Sequence, residues 1–138
     1  MSNVKQFTVG GVTYNAAMAT AVDQDRLLSL LTAPIMERAL GAAKLGKNLD
    51  DAVLVPMFMA MPNGMKTQTA QILIGRVTVA GGAVPVTVED FGGRMVHYNT
   101  LLSQLLVWNL SDFFDWLPAV LVDAQAESKL DKAASTGI

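Results

Sequence analysis

Residues 101–122 read LLSQLLVWNLSDFFDWLPAVLV. Twelve of these residues are Leu, Phe or Val, each worth roughly −0.3 to −0.6 kcal/mol for membrane insertion, whereas Asp112 and Asp115 cost about 2.5 to 3.5 kcal/mol each. These contributions nearly cancel, and Asn109 and Pro118 add further cost. The stretch therefore favours buried or partner-facing helices over a membrane span.

Helical spacing continues this stretch towards the N-terminus. From Met95 the apolar residues recur three or four positions apart, at Tyr98, Leu101, Leu102, Leu105, Leu106 and Trp108. The segment 109–112 interrupts the pattern, and Ser111 can cap a terminal helix that runs through Val122. We therefore expect two consecutive helices with a break between them.

A long helix is expected in the first third of the chain. Residues 21–46 carry apolar side chains at helical spacing, with Asp23 as the expected N-cap and Gly46 as the expected stop. Pro34 lies inside this pattern and removes one helical hydrogen bond. A kink, or two helices meeting near Thr32 to Pro34, is therefore predicted.

Two shorter helices are expected to follow. Asn48 can cap the first of them, because Asp50 and Asp51 then suit the positive end of the helix dipole. Its apolar face would contain Val53, Leu54, Met57, Phe58 and Met61. The Pro62-Asn63-Gly64 sequence predicts a turn, and residues 65–75 are expected to form the next helix.

Two other segments have the alternation typical of short strands. Residues 4–15 place two β-prone runs around Gly10-Gly11, which predicts a two-residue hairpin. Residues 76–91 alternate valines with small or polar residues around Gly81-Gly82, which predicts a second hairpin. Pro85 cannot donate a ladder hydrogen bond, so its strand is expected at an edge or with a bulge.

The order of these elements predicts a mainly α (α+β) fold, a compact helical domain with one or two short β-hairpins. We assign residues 1–124 to this single domain. Beyond Asp123 the sequence carries too little apolar area to offset the entropy of ordering it. Residues 125–138 are therefore expected to be a flexible C-terminal tail.

Composition argues against most kinds of chemistry. The chain lacks cysteine and has one histidine, His97, so Cys-containing and multi-histidine metal sites within one chain are excluded. Its net charge is −2 and its basic residues are scattered, which argues against nucleic-acid binding. No phosphate-binding, dinucleotide-binding, nucleophile-elbow or metalloprotease motif occurs. We expect no enzymatic activity, cofactor, metal, nucleic acid or membrane contact.

Three acidic pairs leave one enzymatic alternative open. Asp50-Asp51, Glu89-Asp90 and Asp112 with Asp115 could supply general acid and base groups if they converge in one pocket. Helix capping already accounts for two of these pairs. A small enzyme with an unrecognised carboxylate site is therefore the less favoured hypothesis.

The apolar content of the chain instead favours protein binding. Apolar residues make up 51% of the sequence and charged residues only 16%, which leaves apolar side chains for the surface. Flexible methionines cluster between Met57 and Met65, and acidic residues border Phe113, Phe114 and Trp116. Such side chains are suited to contact with a partner protein or with the core of the chain itself.

Four stretches together resemble the tail assembly chaperones of long-tailed bacteriophages. They are Phe7–Tyr14 (FTVGGVTY), Ala21–Leu31 (AVDQDRLLSLL), Phe91–Met95 (FGGRM) and Leu105–Leu117 (LLVWNLSDFFDWL). The resemblance implies a non-catalytic factor, absent from the finished virion, that coats the tape measure protein and helps to recruit tail tube subunits. It also implies self-association and a mainly helical fold.

By position, the expected protein-contact residues lie first in the last two helices. A second, less favoured set lies around the methionine cluster. They are Leu105, Trp108, Phe113, Phe114 and Trp116, followed by Met57, Phe58 and Met61. The start of the chain has no continuous apolar run of signal-peptide length, so we expect the cytoplasm, here that of a bacterial host. The alternative within the same biology is a structural tail or connector component that stays in the virion.

Overall fold

The computed structural model describes residues 3–122, which form helices packed around a small antiparallel sheet. Its elements are β1 (Val4–Val9), β2 (Val12–Ala17), α1 (Ala21–Lys44), α2 (Asp51–Met59), α3 (Asn63–Ile74), β3 (Val77–Val79), a 3-10 helix (Val88–Phe91), α4 (Met95–Asn109) and α5 (Ser111–Val122). The predicted mainly α (α+β) class is confirmed. The predicted flexible tail, residues 125–138, lies outside the described residues.

Helix α4 is the centre of the core. It packs against α2, α3, β1 and the 3-10 helix. Four of its leucines have no exposed surface: Leu101, Leu102, Leu105 and Leu106. At its N-terminal end Tyr98 packs against Phe91, with ring centres 5.2 Å apart, and Phe91 also stacks on Tyr14 of β2. The predicted helical spacing from Met95 thus corresponds to a helix that is buried on most sides.

The first predicted hairpin is present. Strands β1 and β2 pair antiparallel in the register Phe7 with Tyr14 and Val9 with Val12. Gly10 and Gly11 both have positive φ, 58° and 79°, as the two central residues of a type I′ turn require. The two glycines therefore set the register that places Phe7, Val9 and Tyr14 on the core side.

The second predicted hairpin is reduced to a single bridge. Val77–Val79 forms β3, but it pairs with β2, so the strand order is β1-β2-β3 and β1 is left at an edge. Opposite β3, only Thr78 and Pro85 form a bridge, with one further hydrogen bond from Val86 N–H to Val77 O. Pro85 has no N–H to extend a ladder, which agrees with its predicted edge position.

The predicted caps of α1 and α2 lie three and two residues away from the observed ones. Thr20, not Asp23, caps α1, because its hydroxyl accepts a hydrogen bond from Asp23 N–H. Asp50, not Asn48, caps α2 by accepting from Ala52 N–H. In both cases a nearby residue that can also cap a helix occupies the extended conformation that a cap needs.

The end of α1 confirms the predicted stop at Gly46. Its N–H donates to Ala43 O, the N–H of Lys47 donates to Ala42 O, and the φ of Gly46 is 68°. These two bonds are those of a Schellman motif. Pro34 does not divide the helix, which runs without interruption from Ala21 to Lys44.

Helices α4 and α5 meet at a sharp bend at Leu110, where their axes change direction by 83°. Ser111, predicted as the cap, is instead the first residue of α5, and Phe114 N–H donates to Leu110 O. Among the described residues, no single helix is long and apolar enough to cross a membrane. Only α4 and α5 taken together pass that test, as a bent pair.

Candidate protein-binding surfaces

The structure divides the predicted contact residues into core and surface. Leu105 and Phe58 have no exposed surface, and Met57, Met61 and Phe113 are at most 8% exposed. All five side chains belong to the buried core cluster of the chain itself. In this conformation they offer no surface to a partner.

Three aromatic residues of the predicted set remain accessible around the bend between α4 and α5. Trp116 is 55% exposed, and Phe114 and Trp108 are partly buried. The Trp116 ring lies 5.9 Å from that of buried Phe113, and Trp108 packs edge-on against Phe7 at 5.6 Å. The accessible rings are therefore held in place by buried ones.

An apolar groove lies between the C-terminal half of α1 and α5. We call it the α1/α5 groove; its volume is about 420 Å³. It is lined by Ala39, Ala43, Val107, Phe114, Leu117 and Leu121. The two alanines are four residues apart, so they lie on one face of α1. Their short side chains make that wall of the groove low. Among residues 3–122, the only charged side chain that lines it is that of Lys47, beyond the end of α1.

The opposite flank of α5 has a different character. Phe114 and Trp116 are two residues apart, which is a rotation of about 200° around the helix axis, so their side chains lie on nearly opposite sides of α5. Trp116 shares its flank with Asp112 and Asp115, four and one residues earlier, and all three side chains are exposed. We call these three residues the acidic-aromatic stripe.

A second apolar groove lies between α3 and residues 85–88. We call it the α3 groove; its volume is about 480 Å³. It is lined by Lys66, Ala70, Ile74, Val86, Val88 and Tyr98. Sequence reasoning did not find it, because its walls come from α3, α4 and the 3-10 helix, which no local pattern connects.

Lys66 is the charged group of the α3 groove. Its Nζ donates a hydrogen bond of 2.6 Å to Asn99 Oδ1 and lies 5.7 Å from the centre of the Tyr98 ring. Burial lowers the pKa of Lys66 and raises the pKa of Tyr98, because it disfavours the charged form of each group. Among the described residues, no carboxylate forms an ion pair with this ammonium group.

The acidic pairs do not converge. Asp50 caps α2, Asp51 accepts a hydrogen bond from Ser103 Oγ, Asp90 accepts one from Thr87 N–H, and Asp112 accepts one from Phe113 N–H. Within residues 3–122, no three His, Asp or Glu side chains are grouped closely enough to hold a metal ion. These carboxylates thus have local structural partners, three of them backbone amides.

No protein-family model, curated protein or solved structure matches the chain. The two grooves and the acidic-aromatic stripe are therefore the features from which a function can be inferred. The two grooves are lined mainly by apolar side chains with one lysine each, and the stripe combines an indole with two carboxylates. Apolar surface bordered by charge is the composition of protein contacts. The three features lie on separate parts of the molecule, so each can take a different contact.

Proposed function

We propose that the protein is a non-catalytic tail assembly chaperone of a long-tailed bacteriophage, acting in the host cytoplasm. In this proposal it binds the tape measure protein and brings tail tube subunits to it during tail assembly. The observation that carries the proposal is the α1/α5 groove, an apolar channel between two helices that the described residues leave open. The resemblance of the sequence to these chaperones supplies the partner.

The groove favours an amphipathic helix as its ligand. Its walls are helices, its lining is mostly apolar, and the small, partly exposed side chain of Ala43 allows another backbone to come close to α1. A helix can place an apolar stripe in such a channel and keep its polar face in water. The resemblance implies a long tape measure protein, along which such helices would recur.

The modest size of the groove suits a temporary contact. A chaperone that leaves before the virion is complete needs an interface that can be released. Phe114 and Leu121 are partly buried by the chain itself, so only part of their surface is left for a partner. Contacts of this kind gain apolar burial without the extensive core of an obligate interface.

A binding assay with paired variants tests the proposal. The wild-type chain is expected to co-purify with the tape measure protein of the same phage when the two are co-expressed. Ala43→Trp fills the α1/α5 groove and is expected to weaken this binding at least tenfold. Ala33→Trp, at an exposed position on α1 outside the groove, is the matched control and is expected to bind like wild type.

Two results would overturn the proposal. One is the absence of any complex with the tape measure protein, and the other is equal binding by both tryptophan variants. Mass spectrometry of purified virions adds a separate check. Stoichiometric presence of the chain in finished particles would identify a structural tail or connector component instead of a chaperone.

A further inference from the structure

We propose that copies of this chain associate head to tail, with the acidic-aromatic stripe of one copy seated in the α3 groove of the next, against Lys66. The contact goes beyond the proposed function and leaves the α1/α5 groove free, because the stripe is on the opposite flank of α5. It predicts an assembly in which every copy has the same orientation relative to the next.

The first reason is an uncompensated charge in an apolar groove. The Lys66 ammonium group is half-buried, and its hydrogen-bond acceptor is a neutral amide, Asn99 Oδ1. Partly desolvated ammonium groups are stabilised by an anion, and burial alone has already lowered the pKa of this one. A carboxylate from another molecule would supply the missing charge.

The second reason is the apolar border of the same groove. Val88 lines it and is 44% exposed, and Val84, beside the lining residue Pro85, is 79% exposed. Apolar side chains exposed around a single cation fit a ligand that combines an apolar body with a negative edge. A purely charged ligand would leave these valines in water.

The acidic-aromatic stripe has this chemistry. Asp112, Asp115 and Trp116 are exposed residues on one flank of α5, and Trp116 is held at 5.9 Å from the buried Phe113 ring. Neither aspartate forms an ion pair among the described residues. An indole with two carboxylates beside it therefore matches an apolar groove with a lysine in its wall.

The two surfaces of one molecule are too far apart to meet. Tyr98 lines the α3 groove near the start of α4, whereas the stripe begins after Leu110, about 18 Å further along the helix axis. Contact between them is thus possible only between copies. A dimer formed this way would keep one free groove and one free stripe, so the contact is heterologous and gives a ring or an open filament.

The absence of cysteine from the sequence allows a direct test by engineered cross-linking. Thr67→Cys places a thiol at the α3 groove, and Ala119→Cys places one on the exposed side of α5 next to the stripe. A mixture of the two variants under mild oxidation is expected to form dimers that contain one of each. A chain that carries both substitutions is expected to form a ladder of multimers.

Cross-linking of either single variant with itself, in preference to the mixture, would overturn the head-to-tail contact, because a two-fold symmetric contact gives that result. So would a wild-type mass of 14.7 kDa by light scattering across a concentration series that reaches the millimolar range. Far-UV circular dichroism and the melting temperature establish that each variant is folded.

Charge reversal separates this contact from partner binding. Lys66→Glu, and separately Asp112→Lys with Asp115→Lys, are each expected to reduce the mass to that of a single chain. Mixing the two is expected to restore assembly, because every groove then meets a stripe of opposite charge. Failure of the mixture to assemble would contradict the charge pairing.

The Lys66→Glu variant should still bind the tape measure protein at the strength of wild type, since its α1/α5 groove is intact. Conversely, Ala43→Trp should lose that binding and still self-associate. The two proposals therefore fail independently of each other.

Discussion

The side-chain oxygen of Asn109 accepts a hydrogen bond of 2.8 Å from the backbone N–H of Ala19, which lies 90 residues earlier in the chain. The amide group of the same side chain donates to Leu105 O at 2.9 Å. Ala19 and Asn109 are both buried, at 8% and 6% exposure. This one side chain thus fixes the link between β2 and α1 to the end of the central helix.

Asn109→Ala is expected to lower the free energy of unfolding by about 2 kcal/mol, because it leaves a buried backbone N–H without an acceptor. Urea denaturation measures the change. Asn48→Ala, at an exposed position beyond α1, is the control and should lie within about 0.5 kcal/mol of wild type. Equal stability of the two variants would contradict a structural role for the Asn109 carboxamide.

The two glycines of the first hairpin make a matched pair. Both have positive φ, but a Cβ at Gly10 would collide with the imidazole of His97, whereas one at Gly11 would meet open space. Gly11→Ala is expected to cost about 1 to 2 kcal/mol from backbone strain alone, and Gly10→Ala is expected to cost more. Thermal unfolding of the two variants measures the difference in their stability.

The added cost at Gly10 should disappear in the His97→Ala background. There the Gly10→Ala and Gly11→Ala substitutions are expected to be equally destabilising, since only the strain of the positive φ remains. A double-mutant cycle that finds no coupling between Gly10 and His97 would contradict the packing of the hairpin turn against α4.

Thr69 has no exposed surface, and its hydroxyl has no hydrogen-bond partner among the described residues. Thr69→Val replaces the hydroxyl with a methyl group of similar shape and is expected to raise the free energy of unfolding by about 1 kcal/mol. Thr32→Val is the control, because the Thr32 hydroxyl donates to Leu28 O at 2.6 Å. The free energy of unfolding of Thr32→Val should not rise. A rise equal to that of Thr69→Val would contradict the conclusion that the unpaired Thr69 hydroxyl destabilises the fold.

The lowered pKa of Lys66 gives a pH dependence with a definite sign. Between the lowered folded-state pKa and the ordinary value of 10.5, the unfolded chain binds more protons than the folded chain, so the contribution of Lys66 to stability rises with pH. The stability of wild type relative to Lys66→Met should therefore increase from about pH 7 to about pH 10.

Urea titrations of both proteins at the two pH values measure this difference. Burial raises the pKa of Tyr98 above 10.0. Because Tyr98 is present in both proteins, its own contribution to the pH dependence cancels when their stabilities are subtracted. A constant difference between wild type and Lys66→Met across the pH range would show that the Lys66 ammonium is not desolvated in the folded chain.

Local patterns predicted most of the elements but not their partners. The Gly10-Gly11 hairpin, the stop at Gly46 and the break before Ser111 each depend on residues next to one another, and the structure has all three. The second hairpin was predicted from the alternation of valines with small or polar residues, and Val77–Val79 does form a strand. Val77–Val79 nevertheless pairs with β2, a strand more than 60 residues earlier, and no local pattern specifies that choice.

The candidate site shows the same limit. Position along the helices selected Trp116, which is exposed, and Phe114, which is partly exposed, but also Leu105 and Phe58, which are fully buried. A residue type and its helical spacing define a face, and whether that face meets solvent depends on which other elements cover it. The Lys66 environment was missed for the same reason, since its neighbours come from α4 and the 3-10 helix.

By itself, then, the sequence determined the Gly10-Gly11 turn, the stop of α1 and the apolar faces of the helices, because backbone conformation and helix periodicity act between residues a few positions apart. Only the tertiary structure decided that α4 is central, that β1 is an edge strand, and which apolar side chains remain outside the core. It also decided that Lys66 lies against the first turns of α4 and that the acidic-aromatic stripe lies beyond its other end. Those outcomes depend on how distant segments pack together, and packing is a property of the whole chain.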